Sequence, residues 1–136
     1  MLSRRGFTII ELMIVVVLIG ILTAIVIPNY MSMQDRSKEA KVKGNAHSLH
    51  LVAEDFSVTH DGHYSVAAAD LTPLLPGANL LENAFTGIQS EPQFGALAAA
   101  TGQIGIQGEF QAGQTVGFTI TGFGKVGLII RLTNGH

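Results

Sequence analysis

From Leu12 through Gln34 the chain carries no charged residue, and Leu12 to Ile27 is apolar apart from Gly20 and Thr23. As a helix rising about 1.5 Å per residue, this uncharged run reaches roughly 34 Å, enough to cross a hydrocarbon core of about 30 Å. Arg4 and Arg5 precede it. Positive charge ahead of a first apolar segment holds that end in the cytoplasm, so the remainder is expected on the far side of the membrane. A secretory signal would show a shorter apolar stretch followed by an A-x-A cleavage site. Here the small residue, Gly6, comes before the run, and Ile27-Pro28-Asn29-Tyr30 closes it without that pattern. The segment is an anchor that stays attached.

Length and composition narrow the rest. The 136 residues leave room for one domain, and 47% hydrophobic against 13% charged residues excludes intrinsic disorder. Cysteine is absent, which removes disulfide frameworks, thiolate metal sites and cysteine nucleophiles together. The net charge is -2, and beyond Gly44 acidic residues outnumber basic ones, the reverse of a nucleic-acid track. Arg36, Lys38, Lys41 and Lys43 form a basic collar after the anchor, expected to face lipid phosphates.

The residues Arg4-Arg5-Gly6-Phe7-Thr8-Ile9-Ile10-Glu11-Leu12-Met13-Ile14-Val15-Val16-Val17 resemble the start of a type IV prepilin or a type II secretion pseudopilin. The resemblance covers about the first 30 residues in motif terms and is architectural beyond them. It implies that a prepilin peptidase cuts after Gly6 and methylates the new N-terminus at Phe7, and it assigns Glu11 to assembly together with Phe7. It also places Gly20 and Pro28 at the family's helix-weakening positions. Further, it implies a homo-oligomeric helical filament, and an assembly platform protein and ATPase as partners. Before assembly the precursor would be a single-pass inner-membrane protein with a cytoplasmic N-terminus; afterwards it would be part of an extracellular or periplasmic filament.

Two readings of Glu11 fit the sequence. A carboxylate in a membrane helix is costly and normally has a partner or a function. Either Glu11 snorkels to the cytoplasmic interface, or it pairs with the α-amino group of Phe7, on its own or a neighbouring chain, once cleavage has created that amine. Gly20 and Pro28 likewise bracket either a tolerated kink or a stretch that melts during assembly, because glycine lowers helix propensity and proline removes a backbone donor.

Helical periodicity continues past the anchor. Val42, Ala46, Leu49, Val52, Ala53 and Phe56 form one apolar face, and Met33, Ala40, Gly44, Leu51 and Val58 form a thinner stripe opposite. The first face is expected to cover a sheet of the same chain and the second to meet neighbouring subunits. Glu39 with Lys43, and His50 with Glu54, have the spacing of helical ion pairs. The helix is expected to stop between Thr59 and Gly62. Asp61-Gly62, Pro73, Pro76-Gly77 and Glu91-Pro92 mark a loop region with a short helix within Ala67 to Leu75, and Asn83-Ala84-Phe85-Thr86-Gly87 resembles a loop signature of pilin-like domains. Alternation at Ile104, Ile106 and Phe110, at Val116, Phe118 and Ile120, and at Leu128, Ile130 and Leu132 predicts three antiparallel strands joined at Ala112-Gly113 and Gly124-Lys125.

The expected fold is α+β and pilin-like: a long N-terminal helix, membrane-spanning in its first half, packed on a C-terminal antiparallel sheet of about three strands. Its expected parts are a leader over 1–6, a hydrophobic transmembrane and assembly helix over 7–30, an amphipathic continuation over 31–60, and a globular domain over 61–136. No catalytic constellation or cofactor motif occurs, so a structural protein rather than an enzyme is expected, without cofactors. His47 with His50, and His60 with Asp61 and His63, lack the further convergent ligand that a metal site requires, and no metal is expected. No acidic residue follows Glu109, so the acidic calcium loop of many major pseudopilins is not evident, and the C-terminal disulfide loop of many type IV pilins cannot form. A type IV pilus-like filament is the leading expectation and a type II secretion pseudopilus the alternative. A membrane-anchored sensor or enzyme ranks behind both.

Overall fold

A computed structural model describes residues 6–134. Arg4, Arg5 and all but the last residue of the expected leader lie outside them. The chain forms two compact units that divide between Asp35 and Arg36. In the first, helix α1 (Ile9–Thr59) begins, and every residue from Gly6 to Gln34 is exposed. This unit consists of helix and the short stretch that leads into it.

The second unit holds the remainder of α1 and everything after it. Its core is built from Val42, Ala46, Leu49, Val52 and Ala53 on one face of the helix, together with Leu71 and Leu75 from the connecting region and Ile104, Ile106, Phe118 and Ile120 from the sheet. Spacings of three and four put these helical residues in one row, as the sequence predicts. Ala40, Gly44, Leu51 and Val58, the part of the opposite stripe within this unit, are all exposed. The helix stops where glycine permits it: Asp61 and Gly62 take φ of 54° and 84°, and the Gly62 amide turns back to donate to the Ser57 carbonyl at 2.9 Å.

The connecting region contains the short helix α2 (Ala68–Leu71), two 3-10 turns, and a hairpin of β1 (Leu81–Glu82) and β2 (Gln89–Glu91). The main sheet has four strands rather than three. β3 (Gln93–Phe94) runs parallel to β4 (Ile104–Gln111), which pairs antiparallel with β5 (Gln114–Phe123), and β5 with β6 (Leu128–Thr133). β3 carries two paired residues, too few for any alternation to announce it. Ala112 and Gly113, both at positive φ, close the β4–β5 hairpin as a two-residue turn.

Phe110 and Val116 depart from the alternating pattern and are exposed. The register shifts between Glu109 and Phe110, leaving Val116 outside the paired residues, so the hairpin tip runs on past the buried part of the ladder. A second departure is on the far face of the sheet, where Thr119 and Thr121 are buried. The segment following β3 covers them, and its Ala98 amide donates to Thr121 Oγ1 at 2.8 Å. Gly105 permits this: a Cβ there would collide with the backbone of Ala96, Leu97 and Ala98. On the helix side Gly122 has the corresponding role. A side chain there would press on Ile130 and on Val42, holding α1 off the sheet.

Contacts made by the charged residues also differ from the sequence pattern. Glu39 accepts from the Lys125 backbone amide at 3.3 Å instead of meeting Lys43. His50 does approach Glu54, at 4.0 Å. Two members of the basic collar turn to the chain itself rather than outward to lipid: Lys41 pairs with Glu82 at 2.8 Å, and Lys38 lies 5.5 Å from the Phe85 ring centre. Asn45 Nδ2 donates to the Glu82 carbonyl, so three helical residues hold the β1–β2 hairpin.

A buried polar pair anchors that hairpin from within. Asn83 donates from Nδ2 to Glu91 Oε1 at 3.0 Å and to the Thr101 carbonyl, while its Oδ1 accepts from the Phe85 and Thr86 amides. Glu91, 1% exposed, accepts at Oε2 from the Ile104 amide at 2.9 Å. One side-chain pair thus ties the hairpin turn, the loop before β4 and the start of β4 together. A fragment lacking residues 1–28 should be soluble and folded, and Asn83→Ala in it should lower the unfolding free energy by about 3 kcal/mol in urea titration, since it takes one donor from a buried carboxylate and leaves the Phe85 and Thr86 amides without their acceptor.

Candidate functional site

The first unit positions its polar groups at one end. Thr8 precedes the first helical residue and Glu11 is the third helical residue, a T-x-x-E capping box. The Thr8 amide donates to Glu11 Oε2 at 2.9 Å, the Thr8 hydroxyl donates to the same oxygen at 2.7 Å, and the Glu11 amide donates back to Thr8 Oγ1 at 3.3 Å. The carboxylate therefore has two donors within its own chain. Its negative charge also complements the positive end of the helix dipole. This box is legible in the sequence, as a Thr three residues before a Glu at the edge of an apolar run, and it gives Glu11 neutral donors where the sequence pattern points only to a cationic partner.

Gly6 and Phe7 lie in the non-helical stretch just before the box. Phe7 is 78% exposed, and a Cβ at Gly6 would meet nothing within 4 Å. The fold of the chain does not require glycine there. The Phe7 nitrogen sits one residue from the Thr8 amide that already donates to Glu11, so the structure gathers Phe7, Thr8 and Glu11 at the helix start.

Gly20 and Pro28 lie farther along, inside an uninterrupted helix. Between them Thr23 donates its hydroxyl to the carbonyls of Ile19 and Gly20 at 2.9 and 3.0 Å. That local bond offers the backbone an alternative partner beside the glycine. Pro28 brings no N–H to the ladder, so the helix is short of one bond there. Tyr30 follows, its hydroxyl accepting from Gln34 at 2.8 Å, an amphipathic ring of the sort enriched at membrane–water boundaries. The helix is long and apolar enough to cross a membrane.

The histidines have other surroundings. His50 stands edge-on to Phe118, with ring centres 5.4 Å apart, and the His60 ring stacks on Phe56 at 3.8 Å. Among the described residues no three of His, Cys, Asp and Glu converge as a metal site would require.

Comparison with known proteins bears directly on the helix start. The family described as the prokaryotic N-terminal methylation motif matches residues 1–27. The type IV major fimbrial protein FimA of Dichelobacter nodosus is 40% identical over 104 residues, covering 76% of this chain and 60% of that protein. The type IV major pilin PilA of Myxococcus xanthus is 48% identical over 64 residues, 47% of this chain and 29% of PilA. The chain is thus similar to type IV pilins and to type II secretion pseudopilins, and it carries their N-terminal methylation motif. Core protein G of the type II secretion system of Pseudomonas aeruginosa represents the second branch, 48% identical over 47 residues, 35% of this chain and 33% of the relative. The matches span less than two thirds of each relative's own length, and no solved structure matches significantly. The motif match and the capping box fall on the same residues.

Replacing Thr8 by Val should remove the hydroxyl, which both donates to Glu11 Oε2 and accepts from the Glu11 amide, while keeping the backbone amide and leaving the apolar helix intact. Loss of an N-cap of this kind costs about 1 kcal/mol, so amide exchange over Ile9 to Leu12 in detergent micelles should quicken roughly five-fold, with Leu18 onward unchanged.

Proposed function

We propose that the protein is the structural subunit of a type IV pilus-like filament, cleaved after Gly6, methylated at Phe7 and polymerised through its N-terminal helix. The observation that carries this is an apolar helix, exposed from Ile9 through Ile27, whose one carboxylate stands at its start beside the prospective new N-terminus. Apolar surface on that scale needs either lipid or other helices around it. A membrane provides the first in the precursor, and neighbouring subunits provide the second in the filament. The precursor would sit in the inner membrane with its N-terminus in the cytoplasm, served by the prepilin peptidase and by an assembly platform protein and ATPase.

The chain divides accordingly into the leader over 1–6, the transmembrane and assembly helix over 7–30, its amphipathic continuation over 31–60 and the globular domain over 61–136. Since the fold makes no demand for glycine at position 6, the demand would come from the peptidase, which must close around the bond to Phe7. In the filament, Glu11 would exchange part of its capping interaction for the charged Phe7 amine of its own or a neighbouring chain. Pairing two charges in a dry interior makes joining register-specific, because either charge alone is expensive there. Gly20 and Pro28 would let the intervening turns open as subunits repack. Ala40, Gly44, Leu51 and Val58, exposed in the single subunit, would meet the helices around them.

A pseudopilus of type II secretion is the second reading, supported by the likeness to core protein G. The longer alignment with the fimbrial protein, 104 residues against 47, favours the pilus.

Intact-mass measurement on assembled protein should give a chain starting at Phe7 with one added methyl group. An N-terminus at Met1, or a cut after Ala24, would end this proposal. Glu11→Ala and Glu11→Gln should both be cleaved normally and leave the folded domain unchanged, yet yield at least ten-fold less sheared filament than wild type. Wild-type filament yield from Glu11→Ala would leave the carboxylate without a role in assembly.

A further inference from the structure

One polar side chain stands alone in the apolar stretch of α1. From Leu12 to Pro28 only Thr23 carries a hydroxyl, amide or charged side chain. Lipid or apolar helices around that stretch offer such a group no partner, so it needs one of its own. Thr23 finds it within the helix, donating to the Ile19 carbonyl at 2.9 Å and to the Gly20 carbonyl at 3.0 Å. A hydroxyl has a single proton, and here it is shared between two carbonyls of the same chain rather than turned to a neighbour.

These two carbonyls are also the ones that the Thr23 and Ala24 amides serve in a regular helix, where each N–H bonds the carbonyl four residues back. At the C-terminal border of the same turn, the Ala24 carbonyl faces Pro28, which brings no N–H. If the turn from Gly20 to Ala24 opens, the Ile19 and Gly20 carbonyls therefore keep a hydroxyl donor within reach, and the Ala24 carbonyl has no such bond to lose. Away from water a freed carbonyl otherwise opposes any opening, and threonine hydroxyls are among the groups that satisfy backbone at helix breaks in membranes. The freed amides still lose their acceptors, so the hydroxyl lowers the cost of opening without removing it.

We propose that Thr23 is a positioning residue for subunit joining: its hydroxyl holds the Ile19 and Gly20 carbonyls as the helix unwinds, and so sets the opening at the turn between Gly20 and Ala24. This rests on the assembly proposed above, in which the turns between Gly20 and Pro28 open. It adds the group that lets the first of those turns open outside water. Glycine and proline weaken the helix over several residues, and the hydroxyl decides where the weakened helix parts.

Thr23→Val removes the hydroxyl and keeps the branched shape, while Thr23→Ser keeps the hydroxyl. Amide exchange at Ala24 is followed by NMR on the full chain in detergent micelles, with Leu18 as the reference. A hydroxyl that only braces the closed helix predicts faster exchange in Thr23→Val. The proposal predicts the opposite sign: exchange at Ala24 slows roughly five-fold, as loss of one hydrogen bond from the open state requires, and Thr23→Ser restores it. Sheared filament from Thr23→Val should fall by about the same factor with normal cleavage, and recover in Thr23→Ser. Unchanged or faster exchange in Thr23→Val overturns the proposal and leaves the filament reading standing, as does a wild-type filament yield from that variant. A wild-type chain that is cleaved and membrane-inserted yet builds no filament overturns both.

Discussion

Keeping the apolar helix out of water is the requirement on which the rest of this protein depends. From Ile9 through Ile27 the side chains are exposed on all sides, so burial cannot come from the fold that follows. Hydrophobic burial is non-directional and proportional to area, and here its area lies outside the domain core. The polar chemistry is gathered at the helix start instead, where Thr8 and Glu11 satisfy one another.

The second unit converts the same helix to a different use. Past Arg36 one face is closed over the sheet, with Val42 fitted against Gly122 and Leu49 in the core, while Ala40, Gly44, Leu51 and Val58 remain open. The loops make contacts to the same helix: Lys41 to Glu82, Asn45 to the Glu82 carbonyl, and Glu39 to the turn after β5. Charges expected to face lipid are in this way used to hold loops.

Several features could be found from residues alone because their signals are local. The uncharged run, the motif around Gly6 and Phe7, the row Val42 to Ala53, the helix stop at Asp61-Gly62 and the Ala112-Gly113 turn depend on neighbours in sequence. The T-x-x-E box is equally local, a Thr and a Glu three residues apart, although a membrane carboxylate first suggests a charged partner. The hairpin loop Asn83 to Gly87 was seen only as a signature, and its physical purpose, fastening buried Glu91, joins residues that periodicity does not relate.

The sequence by itself determined an apolar helix, its amphipathic continuation, the three long strands and the N-terminal methylation motif, since period, length and turn chemistry are properties of short windows. Tertiary structure alone decided the parallel β3, the exposed Phe110 and Val116, the loop covering Thr119 and Thr121, and the redirection of Glu39, Lys38 and Lys41. In each case the outcome turned on which backbone could approach closely, as at Gly105 and Gly122, or on which distant polar group arrived within hydrogen-bonding distance. Steric fit and desolvation act between segments far apart in the chain, and no local pattern encodes them.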